Sequence, residues 1–151
     1  MAGRAGPLER SLAFWDTSAL VPLCAHQGIT PRVVELYLSY GAVVWWTTPV
    51  EIASALRRLV RMKQLTSQDW VTSRRLAADL AAAWRVVQPS NSLRAGAAQL
   101  VDRYDLKAAD ALQLAAALEW SEHIPHGKVF IAADQRLREA AVLSGFDAKV
   151  I

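Results

Sequence analysis

The stretch SLAFWDTSALVPLC, residues 11–24, joins an apolar run to a helix-forming segment through one carboxylate, Asp16. Residues 11–15 are short and almost wholly apolar, which is typical of a strand buried on both faces of a parallel sheet. Two hydroxyl residues, Thr17 and Ser18, follow the acid before the helix formers begin. An Asp directly after a buried strand can simply cap the next helix, because Asp is a preferred N-cap. Alternatively, its carboxylate can have a functional role.

The bulk composition indicates a globular chain of ordinary domain size. It has 151 residues, of which 53% are hydrophobic and 21% charged, and we expect one domain over 1–151 with residues 1–10 as a flexible N-terminal extension. No stretch approaches roughly 18 uncharged apolar residues, so we expect no membrane association. The start MAGRAGPLER lacks the apolar block of a signal peptide. The single cysteine, Cys24, excludes an internal disulfide and a Cys-based zinc cluster, and it fits a reducing cytoplasm.

The charge balance is mildly basic and dominated by arginine. The net charge is +3, carried by 13 Arg and 4 Lys. Arginine forks suit phosphate recognition better than lysine point charges do. The composition therefore permits a polyanionic partner without requiring one.

Short apolar strands alternate with helical segments along the chain. Thr30 and Thr48 are expected to be N-caps, with Pro31 and Pro49 at the first positions of the two helices that follow. Gly41 is expected to end the first of these helices. Besides 11–15, the predicted strands are AVVWW (42–46), RVVQP (85–89, as a short strand or an extended connection), KVFIAA (128–133) and FDAKVI (146–151). Near-continuous apolar strands between helices indicate an α/β fold of three layers, α/β/α, around a mainly parallel sheet.

Three acids follow predicted strands at the sheet edge where open parallel sheets bind ligands. Asp16 and Asp134 come directly after their strands, and Glu51 lies five residues past AVVWW, in the first turn of a helix. Each alone could be a cap or a partner of the helix dipole. Together the three carboxylates concentrate negative charge at one edge of the sheet, and a bound divalent cation usually offsets the repulsion between such groups. Oxygen ligands without Cys point to Mg²⁺ or Mn²⁺ rather than zinc.

A fourth acid, Asp110, lies on an apolar face of the Ala-rich helix LKAADALQLAAALEWS. Leu106 and Leu114 share that face. A lone carboxylate there is costly unless it is paired, protonated or bound to a metal. Lys107 and Gln113 flank the same face, so pairing with one of them remains an alternative to metal binding.

The segments FWDTSALVPL, TTPVEIASALRR, YDLKAADALQLAAA and VFIAADQRLREAA together resemble the PIN-domain ribonucleases, most closely the VapC-type toxins of bacterial toxin–antitoxin pairs. The resemblance spans about residues 12–149 and implies a PIN-like fold. It implies a catalytic, metal-binding set of four acids, namely Asp16, Glu51, Asp110 and Asp134. Thr17 or Ser18 matches the hydroxyl often found beside the first acid. A Ser or Thr is common just before the fourth acid, whereas residues 132 and 133 are alanines here.

The resemblance also implies an activity and its partners. The expected function is a Mg²⁺-dependent endoribonuclease, with Mn²⁺ as a possible substitute, acting as the toxin of a type II toxin–antitoxin system. We expect Asp16 and Asp110 to bind the metal directly, Glu51 to position the ion or its water, and Asp134 to complete the cluster. Such toxins are usually homodimers and are silenced by a cognate antitoxin.

Candidate contacts to the RNA backbone lie close to two of the acids in sequence. Arg57, Arg58 and Arg61 follow Glu51 along one helix, and Lys107 precedes Asp110. The like-charged pair at 57 and 61 mildly destabilises an isolated helix, which favours an external anionic partner, either RNA or an acidic antitoxin segment. A solvated basic helix face explains the same pattern equally well.

Two other functions remain open at this point. A metal-free RNA- or protein-binding module could keep the fold, although a groove for polyanions would gain from losing the four acids. An aspartyl-phosphate phosphotransfer domain could use Asp16 as nucleophile, but it lacks a further acid beside Asp16 and a suitably placed late lysine. The histidines, His26, His123 and His126, are not expected to bind a metal.

Overall fold

A computed structural model describes residues 10–25 and 31–151. Residues 1–9 of the expected extension, His26 and the expected cap Thr30 lie outside the described residues. The strands are β1 Leu12–Trp15, β2 Gly41–Trp45, β3 Arg85–Val87, β4 Val129–Ile131 and β5 Asp147–Lys149. The helices are α1 Thr17–Ala25, α2 Pro31–Ser39, α3 Thr48–Arg61, α4 Ser67–Ala81, α5 Asn91–Tyr104, α6 Ala108–Trp120 and α7 Gln135–Ser144. Within the described ranges, no helix has the length and apolar character needed to cross a bilayer.

The five strands form one parallel sheet in the order β3-β2-β1-β4-β5. Phe14 of β1 lies opposite Val43 of β2 and Phe130 of β4. From β1, the chain adds β2 and β3 on one side and then adds β4 and β5 on the other side. The strand order therefore reverses between β1 and β4, and in such sheets ligands bind beyond the carboxyl ends of the strands at this reversal.

Helices cover both faces of the sheet, which confirms the predicted α/β fold. Ala13 and Trp15 of β1 belong to the core formed with α1 to α4. Phe14 belongs to the opposite core, formed with α5 to α7, where its ring stacks on Phe130 with centroids 5.4 Å apart. Because successive side chains of a strand point to opposite faces, the short apolar run of β1 contributes to both cores.

Two local expectations were wrong. Thr48 does not cap α3: the N-cap position belongs to Thr47, which makes no side-chain cap bond, while Thr48 is fully buried. Gly41 does not end α2 but opens β2, and a Cβ there would lie 2.9 Å from Leu12 Cδ2. Glycine at this position therefore leaves room for the end of the Leu12 side chain, which the sequence pattern did not reveal.

Candidate functional site

Asp16 lies at the carboxyl end of β1, the central strand. Its backbone N–H donates to the Ile131 carbonyl at 2.9 Å, which continues the pairing with β4 by one residue. Its Oδ2 accepts hydrogen bonds from the Ser18 N–H, at 3.0 Å, and from the Ser18 hydroxyl. Asp16 therefore caps α1, as the simpler interpretation of the sequence expected.

Capping does not remove the electrostatic cost of Asp16. The residue is only 5% exposed, and burial raises the pKa of its carboxyl to about 6, with the charges of Asp110 and Glu51 adding to the increase and the Ser18 hydrogen bonds opposing it. Helix capping alone would be served by a neutral Ser or Asn at this position. A buried charge that is held near two other acids therefore needs a further explanation.

Glu51, in the first turn of α3, is held by two neutral donors from other helices. Its Oε2 accepts from the Thr17 hydroxyl of α1 at 2.5 Å and from Gln113 Nε2 of α6 at 2.7 Å. Gln113 also donates to Thr17 Oγ1 at 3.1 Å. These bonds tie three helices together around one carboxylate. Gln113 thus bonds Glu51 rather than Asp110, the acid that its spacing in the sequence had indicated.

Asp110 lies half-buried in the first turn of α6. Burial raises the pKa of its carboxyl, and the charges of Asp134 and Glu51 raise it further, while Lys107 and Arg136 lower it. No ion pair joins Lys107 to Asp110 in the described part of the chain. Local pairing with Lys107 therefore does not account for the carboxylate on this helix face.

Asp134 lies beside Asp110 but does not line the cavity that holds the other three acids. It is exposed and caps α7, with Oδ1 accepting from the Leu137 N–H at 2.8 Å. The hydroxyl that is missing just before it has a counterpart elsewhere. Ser18 Oγ accepts from the Ala133 N–H at 2.9 Å while donating to Asp16, so a hydroxyl from α1 connects the exits of β1 and β4.

Asp16, Glu51 and Asp110 line a cavity of about 510 Å³. Arg58 and Arg61 of α3 line its wall, together with Thr17, Ser18 and Gln113. Arg57 does not, because its guanidinium lies over the Trp70 ring of α4, 4.9 Å from the centroid. The structure therefore separates the three arginines of α3, with two at the cavity and one against the neighbouring helix.

The acids keep free oxygen atoms that a cation could use. Within residues 10–25 and 31–151, no three His, Cys, Asp or Glu side chains lie close enough to hold one metal ion. Yet Asp16, Glu51 and Asp134 each accept hydrogen bonds through one carboxylate oxygen, and in the described ranges their other side-chain oxygen makes none. Carboxylate oxygens are hard donors and fit Mg²⁺ or Mn²⁺ chemistry. A bound cation would also offset the burial and the repulsion that raise the pKa values of Asp16 and Asp110.

Solved structures that share this fold include the following two. The first is the crystal structure of PAE2754 from Pyrobaculum aerophilum, with a TM-score of 0.63 and 20% identity over 91% of this chain and 89% of that one. The second is a toxin–antitoxin complex from Klebsiella pneumoniae, with a TM-score of 0.59 and 16% identity over 81% of this chain and 86% of that one. No curated protein matches the sequence.

The family comparison covers most of the chain. The family model described as PIN domain matches residues 13–143, a range that contains all four acids and the two hydroxyls beside the first. PIN domains are generally nucleases, and PIN nucleases generally use divalent metals. The chain belongs to the PIN domain family.

Proposed function

We propose that this protein is a Mg²⁺-dependent endoribonuclease of the VapC type, the toxin of a type II toxin–antitoxin system. The observation that carries the proposal is the cavity in which Asp16, Glu51 and Asp110 converge from three different elements, with two arginines on its wall. Gathering acids at one site is costly unless a cation offsets their charge. A metal-dependent nuclease site combines a cation with positive side chains that hold the substrate phosphates.

We assign each of the four acids a role in holding the cation from its position in the site. Asp16 and Asp110 would bind the cation directly, since both line the cavity and a cation there would offset the burial and repulsion that raise their pKa values. Glu51, held by Thr17 and Gln113, would orient the ion or a water molecule. Asp134 would complete the cluster from the β4 side, where Ser18 links the two strand exits. When bound, a divalent cation lowers the pKa of its water and offsets charge on the phosphoryl oxygens.

The cavity arginines favour a phosphodiester substrate. Arg58 and Arg61 lie on one face of α3, since residues three apart are neighbours on a helix, and both line the cavity. Their guanidinium groups would hold backbone phosphates on either side of the cleaved bond. Exposed Lys107, whose charge acts on Asp110, would add a contact at the rim. Arg57, held over Trp70 and outside the cavity lining, would not contact the RNA.

Cleavage of end-labelled RNA tests the proposal. Wild-type protein should cleave with Mg²⁺ or Mn²⁺ and stop when a chelator is added. Asp16→Asn and Asp110→Asn should abolish cleavage while the variants remain folded by circular dichroism. Equal cleavage by the variants and the wild type, or full activity in chelator, would refute the assignment. A metal-free binding module would bind the RNA and leave it intact.

We further propose a cognate antitoxin and a homodimer as the partners, acting in the cytoplasm. Support for the antitoxin comes from the shared fold with the chain in a toxin–antitoxin complex and from the basic face of α3, which suits an acidic segment. The gene preceding this one should encode a short protein with a DNA-binding start. Co-expression of that protein should inhibit cleavage, and light scattering should give twice the chain mass.

A further inference from the structure

We propose that Gln113 is a positioning residue, which aims the Glu51 carboxylate into the cavity without neutralising its charge. The inference rests on the proposed metal-dependent function and adds to it a residue outside the four acids. Gln113 lies on α6, 62 positions from Glu51 in sequence, and its amide nitrogen is 2.7 Å from Glu51 Oε2.

The contact is specific because the amide is fully enclosed. Gln113 is 1% exposed and lines the same cavity as the acids. Its NH₂ group has two protons to donate, and its partners are Glu51 Oε2 and Thr17 Oγ1, with Thr48 Oγ1 more distant at 3.5 Å. Thr17 itself donates to the same Glu51 oxygen. Glu51 Oε2 is thus clamped from two helices, which leaves Oε1 available.

Folding stability alone does not explain a glutamine here. Gln113 Oε1 is buried and has no hydrogen-bond partner, and an unpaired buried amide oxygen is a cost to folding. A leucine would fill similar space among the apolar residues of α6 without that cost, and it would lose only the hydrogen bonds that Nε2 donates to Glu51 and Thr17. We therefore attribute the glutamine at this position to the hydrogen bond that its Nε2 donates to Glu51.

The two groups that hold Glu51, the Thr17 hydroxyl and the Gln113 amide, are both neutral. Lys or Arg at position 113 would hold Glu51 more strongly, but the ion pair would cancel the charge that a cation needs. In the described part of the chain, Glu51 forms no ion pair, although Arg58 and Arg61 line the same cavity. Thr17 and Gln113 therefore orient the carboxylate and leave its negative charge for the metal.

The test compares Gln113→Leu with the wild type in three measurements. These are thermal stability in chelator, Mn²⁺ affinity by calorimetry, and kcat and KM on labelled RNA. We expect a Tm close to that of the wild type, because removal of the unpaired Oε1 offsets the loss of the hydrogen bonds from Nε2. Mn²⁺ binding should be about 10–100-fold weaker and kcat lowered by a similar factor. The KM for RNA should change little, because the phosphate contacts are untouched. Gln113→Met, which keeps the length of the side chain but not its donors, should behave in the same way and serves if the leucine variant is unstable.

Ser121→Ala is the matched control. Ser121 is also a buried polar residue of the α6 region, and its hydroxyl donates to the Leu118 carbonyl at 2.9 Å, away from the acids. This variant should keep wild-type Mn²⁺ affinity and kcat. A Gln113→Leu protein that binds Mn²⁺ as tightly as the wild type, or that loses affinity only in step with a fall in Tm, would overturn the inference. A wild type that neither binds Mn²⁺ nor cleaves RNA would instead overturn the proposed function.

Discussion

Replacing Asp16 with asparagine should stabilise the protein at neutral and alkaline pH when no metal is present. Asparagine keeps an oxygen that accepts the hydrogen bonds from Ser18, so the cap on α1 survives. It removes a charge that burial destabilises and that Asp110 and Glu51 repel. If the buried charge of Asp16 is kept for activity at the expense of stability, the asparagine variant should be more stable and inactive.

The magnitude and its pH dependence follow from the pKa of Asp16. The fold raises this pKa from 3.8 to about 6, and a difference of about two units corresponds to about 3 kcal/mol at about 1.4 kcal/mol per unit. Because the folded pKa is the higher one, the folded wild type holds its proton more tightly, and its stability falls as the pH rises from about 4 to about 6. The advantage of the variant should therefore be at most about 3 kcal/mol at pH 8 and disappear near pH 4.

Urea denaturation at pH 4, 6 and 8 in chelator measures this difference, and thermal unfolding provides a second estimate. A change of 1 kcal/mol moves Tm by about 2–4 °C in a chain of this size, so Asp16→Asn should gain up to about 10 °C at pH 8. Saturating Mg²⁺ should narrow the gap, because the cation binds only the folded wild type. A variant that is less stable than the wild type at pH 8, or whose advantage persists unchanged at pH 4, would refute the reasoning.

The remaining predictions concern the arginines, the fourth acid and one turn. Arg61→Ala should weaken RNA binding and lower the slope of log affinity against log salt concentration by about 1, as measured by fluorescence anisotropy. Arg57→Ala should leave RNA binding unchanged but lower the free energy of unfolding by about 0.5–1 kcal/mol through the lost contact with Trp70, as measured by urea denaturation. Asp134→Asn should keep Tm, since Asn caps as well as Asp, yet reduce cleavage, while Asp134→Ala should also lose about 1 kcal/mol. Gly145→Ala should cost more than about 1 kcal/mol in denaturation, because φ is +112° and the new Cβ would lie 2.9 Å from a proline side chain.

The fold was largely predictable because its signals are local. The apolar run of β1, the alternation of strands with helices and the acids that follow β1 and β4 can all be read within windows of a few residues. The two local errors, at Thr48 and Gly41, arose where a neighbouring element decides the outcome. Thr48 is buried near Gln113, and Gly41 packs against Leu12.

The amino-acid sequence by itself determined the order of strands and helices and placed Asp16, Glu51 and Asp134 near the carboxyl ends of strands. Only the tertiary structure decided that Gln113 bonds Glu51 rather than Asp110, and that Arg57 turns to α4 while Arg61 lines the cavity. The physical reason is that helical periodicity shows which residues share a face, whereas the rotation and packing of each helix against distant elements determine what that face meets.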